Sequence, residues 1–229
     1  MQKMAVAIYG APGAGKGTQA DFLANQKGFI HFDTGKRLRA ILYDPGNKKN
    51  KKIQAERKIN EDGVLNTPSW VLKIVKEGMA KTANAGLGIV FSGSPRTMYE
   101  AFGDKKTTGL ATELIKNYGK KNVFFIELQV RPEIAKNRNS IRLICKECKT
   151  GVSGKTPIQE CPICLGKMER RKDDNPEIYA KRITEYNERT KPILTELKKR
   201  GFTVLKISGE KKPYEVFAEI EKKLAQAQK

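Results

Sequence analysis

The residues Gly10-Ala11-Pro12-Gly13-Ala14-Gly15-Lys16-Gly17-Thr18 carry the types and spacing of a phosphate-binding loop, G-x-x-x-x-G-K-[ST], with one glycine between the lysine and the threonine. Glycines let the backbone curl so that its N–H groups point inward at an anion. A helix start behind them adds partial positive charge. Lys16 supplies a full charge for the outer phosphates, and Gly13, Ala14, Gly15, Gly17 and Thr18 complete the cradle. The plainer alternative is an ordinary glycine-rich turn. The apolar run at 4–9 before the loop and the helical pattern at 18–24 after it argue against that. A second chemistry lies in Cys145-x-x-Cys148 and Cys161-x-x-Cys164, two knuckles separated by twelve residues. Each short loop can present two thiolates to one tetrahedral ion, the pattern of a zinc site. Four protein ligands close the coordination sphere, so such a metal is structural. An iron centre or free reduced thiols are the alternatives.

These groups need a scaffold, and the sequence alternates strand-like and helical runs. Candidate strands are 4–9, 29–32, 88–92, 123–130 and 203–207. Candidate helices are 16–26, 36–43, 51–61, 68–82, 97–117, 131–139, 175–200 and 213–227. Such alternation predicts an α/β fold with a parallel sheet. Two stretches interrupt it: a mostly helical excursion at 36–82, and the cysteine module at 143–172 before a long charged helix. Both read as lobes inserted into a nucleotide-binding core, placed to close over substrates.

The 229 residues allow one sizeable core with small lobes. The sequence shows no signal-peptide pattern and no apolar run near the roughly 18 residues of a membrane span. The expectation is therefore a cytoplasmic protein without membrane contact, in a reducing space that favours metal over disulfide. There are 45 basic and 25 acidic residues, a net charge of +20. That balance draws polyanions. Few aromatics interleave the lysine runs, so a solvated surface is preferred over a nucleic-acid groove.

Taken in order, the loop, Thr34-Gly35-x-x-Leu38-Arg39, Gly93-x-Pro95-Arg96-Thr97, Arg138-x-x-x-Arg142, and Arg171-Lys172-Asp173-Asp174 with Arg182 resemble the adenylate kinase and wider nucleoside-monophosphate kinase family over nearly the whole chain. The cysteine module stands where that family's zinc-bearing lid stands. The resemblance implies a P-loop three-layer α/β/α fold with a five-stranded parallel sheet. The core would be 1–35, 83–142 and 173–229, with a monophosphate lobe at 36–82 and a four-cysteine zinc lid at 143–172. It implies phosphoryl transfer from ATP with Mg2+, by a monomer. Lys16 and its loop would hold the ATP phosphates, and Arg138 and Gly209 would contact the ATP base. Thr34, Gly35, Arg39 and Arg96 would bind the monophosphate's phosphate. Leu65, within Gly63-Val64-Leu65, and Glu100 would lie at its base. Arg142, Arg171 and Arg182 would close on the transferring group, with Asp173 pairing those arginines at the hinge. The chemistry agrees, because arginine forks bind phosphate oxygens two at a time and the reaction consists largely of positioning and charge stabilisation.

The chain also departs from the family pattern. Ser92 stands where the family has an aspartate that helps hold the magnesium shell, and Lys36 where it has a second acid. Asp33 is a candidate substitute carboxylate. Glu100 stands where AMP-specific members place glutamine, and a carboxylate only accepts hydrogen bonds. It would suit a base edge with two donors. His31, the single histidine, is assigned to the end of a strand, and no Ser/His/Asp constellation is drawn from the sequence. The leading reading is ATP plus AMP giving two ADP. The alternatives are a kinase for GMP or UMP, and a catalytically weak protein that binds nucleotides or nucleic acid on the same fold.

Overall fold

The computed structural model describes residues 3–153, 158–170 and 174–228. Five parallel strands form the central sheet: β1 (Ala5–Tyr9), β2 (Ile30–Phe32), β3 (Ile89–Phe91), β4 (Val123–Gln129) and the late strand β8 (Thr203–Ser208), in spatial order β2-β3-β1-β4-β8. The inner strands β1 and β3 are apolar throughout because both faces are covered, and β4 turns polar only at Glu127 and Gln129 toward its carboxyl end. Alternate residues of β1 serve opposite faces. Ala5, Ala7 and Tyr9 join a core with helices α4 (Pro68–Asn84), α6 (Leu110–Tyr118) and α9 (Lys191–Lys199). Val6 and Ile8 join the other core, with α1 (Lys16–Lys27) and α10 (Pro213–Ala227). The expected three-layer α/β/α architecture is therefore present.

Between β2 and α4 the chain forms α2 (Thr34–Leu42), a short 3-10 turn (Pro45–Asn47) and α3 (Lys51–Glu61). Asp33 caps α2 by accepting the Lys36 N–H at 2.9 Å, and Asn50 caps α3. Lys48, Lys49, Lys51 and Lys52 are exposed, as expected of a solvated run. After α7 (Pro132–Ser140), three short strands form a second, antiparallel sheet in the order β6-β5-β7: β5 (Arg142–Cys145), β6 (Gly151–Ser153) and β7 (Met168–Arg170). No strand was expected there, since three- and four-residue strands leave too little alternation to read.

Two expected helices are corrected. The run at 97–117 is α5 (Met98–Phe102) and α6, separated by a tight loop. Gly103 adopts φ +73°, and a Cβ on Gly109 would lie 2.3 Å from the carbonyl carbon of Phe102. The backbone reverses on itself there, which no helix allows. The run at 175–200 is α8 (Pro176–Glu185), a π-helical turn (Tyr186–Thr190), then α9. Pro192 lacks the N–H of a regular ladder, and Thr190 Oγ1 turns to donate to the Arg96 carbonyl at 2.9 Å.

Candidate active site

The phosphate loop joins β1 to α1 at the carboxyl edge of the sheet, where open α/β folds bind ligands. Gly10, Gly13 and Gly15 have φ of +150°, +90° and +93°. A Cβ on Gly13 would stand 2.1 Å from the Ala135 carbonyl oxygen, so α7 packs directly on the loop. Gly15 is the N-cap of α1, and no side chain caps that helix. Its first N–H groups thus face outward as an anion cradle. Lys16 folds over the loop and donates to the carbonyls of Gly10 at 2.7 Å and Ala11 at 3.0 Å. Loss of water holds its ammonium well below the usual lysine range, and the charges of Arg96, Arg182 and Arg142 push it further down. Four cations drawn from α1, α8, the segment after β3 and the start of β5 therefore converge. Their mutual repulsion is relieved by a polyanion placed among them.

Each arginine has a distinct support. Arg142 forms a bidentate pair with Asp174, Nη2 to Oδ1 at 2.6 Å and Nε to Oδ2 at 3.0 Å. Arg182 Nη1 lies 3.6 Å from the same carboxylate. Asp174 thus anchors both arginines; Asp173, expected to take part in that pairing, and Arg171 lie outside the described residues. Arg138 donates to the carbonyls of Gly209 at 2.6 Å and Glu210 at 3.1 Å, which brings together the two residues assigned to the ATP base. Gly209 packs so closely that a Cβ would lie 2.7 Å from Val130 and 3.1 Å from the Ala14 carbonyl oxygen. Thr34, Gly35, Arg39 and Arg96 also meet. A Cβ on Gly93 would be 3.1 Å from Arg96 Nη2 and 3.4 Å from Thr34, and one on Gly35 would be 3.3 Å from Arg39 Nη1.

Glu100 is buried, and its own turn engages both its oxygens. Oε2 accepts the Arg96 N–H at 3.0 Å and Oε1 accepts the Thr97 hydroxyl at 3.1 Å. Burial pushes its carboxyl above the ordinary range, against the pull of those two bonds. Leu65 is half-buried in a segment fixed by a network that the sequence did not reveal. Buried Glu56 accepts from Asn66 Nδ2 at 2.8 Å and the Thr67 N–H at 3.1 Å, and Asn60 donates to Asn66 at 2.9 Å. A buried carboxylate among amides has no local signature, because it depends on a loop folding back over a helix.

His31 requires a second correction. It does more than fill a strand: its Nδ1 lies 2.7 Å from Asp21 Oδ1 and its Nε2 2.7 Å from Ser92 Oγ. A Ser–His–Asp hydrogen-bond chain is present after all, built from α1, β2 and the end of β3.

The four cysteine sulfurs lie within 4.8 Å of one another, with Cys145–Cys164 and Cys148–Cys161 at 3.5 Å. A zinc–thiolate tetrahedron with bonds of about 2.3 Å has edges of about 3.8 Å, so zinc fits this donor set. The Glu147 and Ile163 N–H groups point at Cys145 and Cys161 sulfur at 3.3 and 3.4 Å, which favours thiolates. Thr150 holds the Cys148 thiol down to about 6, while the neighbouring sulfurs of Cys145 and Cys148 push Cys164 up to about 11.

Comparison with known proteins agrees with this arrangement. The adenylate kinase family profile matches residues 8–202. The adenylate kinase of Chlamydia pneumoniae is 34% identical over 213 residues, covering 93% of each chain. That of Caldicellulosiruptor saccharolyticus is 32% identical over 216 residues, covering 90% of this chain and 93% of its own. That of Syntrophomonas wolfei is 31% identical over 225 residues, covering 96% and 99%. With the glycine cradle at the sheet edge and the cations gathered above it, likeness over so much of both chains means that this protein belongs to the adenylate kinase family.

Proposed function

We propose that this chain transfers the terminal phosphoryl group of ATP to AMP, giving two ADP. The observation that carries the reading is the convergence of Lys16, Arg96, Arg142 and Arg182 on an α1 N-terminus that no side chain caps. Two anionic nucleotides held end to end need such a concentration of positive charge. The attacking AMP phosphate is already ionised at neutral pH, so no general base is required.

In this reading Gly13, Ala14, Gly15, Lys16, Gly17 and Thr18 bind the ATP phosphates. Arg138 and Gly209 present one face to the ATP base. Thr34, Gly35, Arg39 and Arg96 hold the AMP phosphate in line, with Leu65 beside its base. Arg142 and Arg182, with Arg171, neutralise charge on the moving phosphoryl group. Residues 36–82 act as the monophosphate lobe and 143–172 as the lid, which together exclude water. Thr18, exposed in the first turn of α1, offers an oxygen ligand of the kind magnesium prefers. When bound with ATP, magnesium would add charge neutralisation across the phosphates. The lid cysteines would hold structural zinc and stiffen the lid. A cytoplasmic monomer is the setting that fits; among the described residues no helix is long and apolar enough to cross a membrane.

A GMP or UMP kinase was favoured by Glu100 alone. With both carboxylate oxygens engaged in the Arg96–Thr97 turn, Glu100 supports the main chain of the Arg96 clamp, a role that needs no contact with a base. The test is a coupled assay with AMP, GMP, CMP and UMP, with and without magnesium. Fastest magnesium-dependent turnover with AMP is expected. No turnover with any monophosphate, together with salt-sensitive binding to RNA or DNA, would replace the reading with a nucleic-acid-binding one.

A further inference from the structure

P-loop phosphotransferases commonly hold magnesium between the loop hydroxyl and a strand-borne aspartate. Here the strand beside β1, β3, leads into Ser92, which carries no charge. The nearby Asp33 is engaged as the cap of α2. Ser92 is tied instead to His31 Nε2 at 2.7 Å, and His31 Nδ1 to Asp21 at 2.7 Å. Asp21 stands three residues after Thr18, on the same face of α1 as the loop hydroxyl. We infer that the Asp21–His31–Ser92 chain replaces the missing strand-end carboxylate, orienting the Ser92 hydroxyl oxygen to accept from the water shell of magnesium-bound ATP.

The polarity of the chain follows from its members. A carboxylate only accepts, so His31 Nδ1 carries the proton. In the neutral ring Nε2 is then bare and accepts the Ser92 O–H. A serine hydroxyl rotates freely unless held, and a proton turned toward a cation would repel it. With that proton fixed on His31, the Oγ lone pairs remain for a water on the metal. The negative charge of Asp21 polarises the series from behind. Asp21 is 66% exposed and His31 only 15%, so screening weakens the distal charge more than the His31–Ser92 bond. His31 and Asp21 are positioning residues in this scheme, acting through Ser92.

This inference rests on the ATP-binding reading above, and the tests separate the two. The chain holds one histidine, so its 15N spectrum needs no assignment. It should report the tautomer protonated at Nδ1; the tautomer protonated at Nε2 overturns the proposal. The second measurement is ATP affinity by calorimetry, with magnesium and with a chelator. Ser92→Ala and His31→Phe should each lose about tenfold of the tightening that magnesium confers, the size of one hydrogen bond to a charged group. The double variant should be no worse than either single one, and Asp21→Asn should fall between them and the parent. Metal-free affinity should stay within about twofold, because the loop itself is unchanged. Ser92→Asp should restore the tightening even with His31→Phe, which also guards against a variant that merely folds poorly. Full magnesium tightening in His31→Phe, or no rescue by Ser92→Asp, overturns the inference while leaving AMP turnover by the parent untouched. Failure of the parent to bind ATP removes both.

Discussion

Asp174→Asn tests the organisation of the closing arginines. The carboxylate is 4% exposed, and Arg142 and Arg182 are 29% and 22% exposed. A charge pair near 3 Å at an effective dielectric of about 20 is worth about 5 kcal/mol before desolvation. Removing the carboxylate from water offsets most of that. A net of about 2 kcal/mol remains for the short bonds to Arg142, the usual size for hydrogen bonds between charged groups. Asparagine keeps the shape but replaces one accepting oxygen with an NH2 that faces a guanidinium. Urea unfolding should therefore show a loss of about 2 kcal/mol, with Tm lower by about 4–8 °C. Arg142 begins β5 and Arg182 lies in α8, so losing their common anchor also frees two elements to separate. In a coupled assay kcat should drop about 10–100-fold, as expected when catalytic groups are displaced by about 1 Å. KM for ATP should change less, since the loop is intact. A variant within about 0.5 kcal/mol of the parent and with kcat within about twofold would refute the reasoning.

The other expectations use the same charges. Lys16 is held below the ordinary lysine range by burial first and by its arginine neighbours second. Between its depressed native value and the ordinary one, the native state binds fewer protons than the unfolded state, so its contribution to stability rises with pH there. Bound phosphate reverses the depression, so ATP binding at alkaline pH should take up protons, read by calorimetry in buffers of different ionisation heat. Lys16→Met should abolish the uptake, and its absence in the parent would count against the charge cluster. Glu100 is shifted the other way, raised mainly by burial. From the ordinary carboxylate value up to its raised native one, the native state keeps a proton the unfolded state has lost, and stability falls as pH rises. Glu100→Gln should flatten that slope, lower stability at acid pH by about 1 kcal/mol, and leave the order of monophosphate preference unchanged; a switch to GMP would show that Glu100 does read the base. Metal analysis should find about one zinc per chain. Chelation or Cys161→Ser should lower Tm while leaving 25 °C turnover within about twofold, and a metal-free protein of equal Tm would refute a structural role.

Local patterns were legible wherever one segment contains its own reason for folding. The loop, its strand and α1 could be read because the glycines, the apolar run and Lys16 are contiguous. Helix α3 at Lys51–Glu61 and α10 at Pro213–Ala227 were read with their observed ends, each opened by a residue suited to a helix start. The cysteine cluster was legible because two thiols three positions apart already define a knuckle. The break at Gly103–Gly109 has local signals, two glycines and no apolar residue between them, but apolar runs on both sides mask it; the positive φ of Gly103 and the close approach of Gly109 to Phe102 exclude a helix. Of the two features behind the π-turn at Tyr186–Thr190, Pro192 is visible in the sequence, but the contact of Thr190 with Arg96, 94 positions away, is not.

By itself the sequence determined which chemistry is on hand: a glycine-rich loop suited to an anion, a set of arginines suited to phosphate, a four-cysteine cluster with metal spacing and the alternation that makes a parallel sheet. These depend on residue type and short spacing, which survive without coordinates. Tertiary structure alone decided what each charge faces. It gave both oxygens of Glu100 partners in the Arg96–Thr97 turn, gave Asp174 the two arginines, and joined Asp21, His31 and Ser92 into one chain. Asp174 reaches Arg142 across 32 positions, Asp21 reaches His31 across 10, and His31 reaches Ser92 across 61. Hydrogen bonds and ion pairs act over a few ångströms, so until the sheet brings distant segments together there is no partner to name.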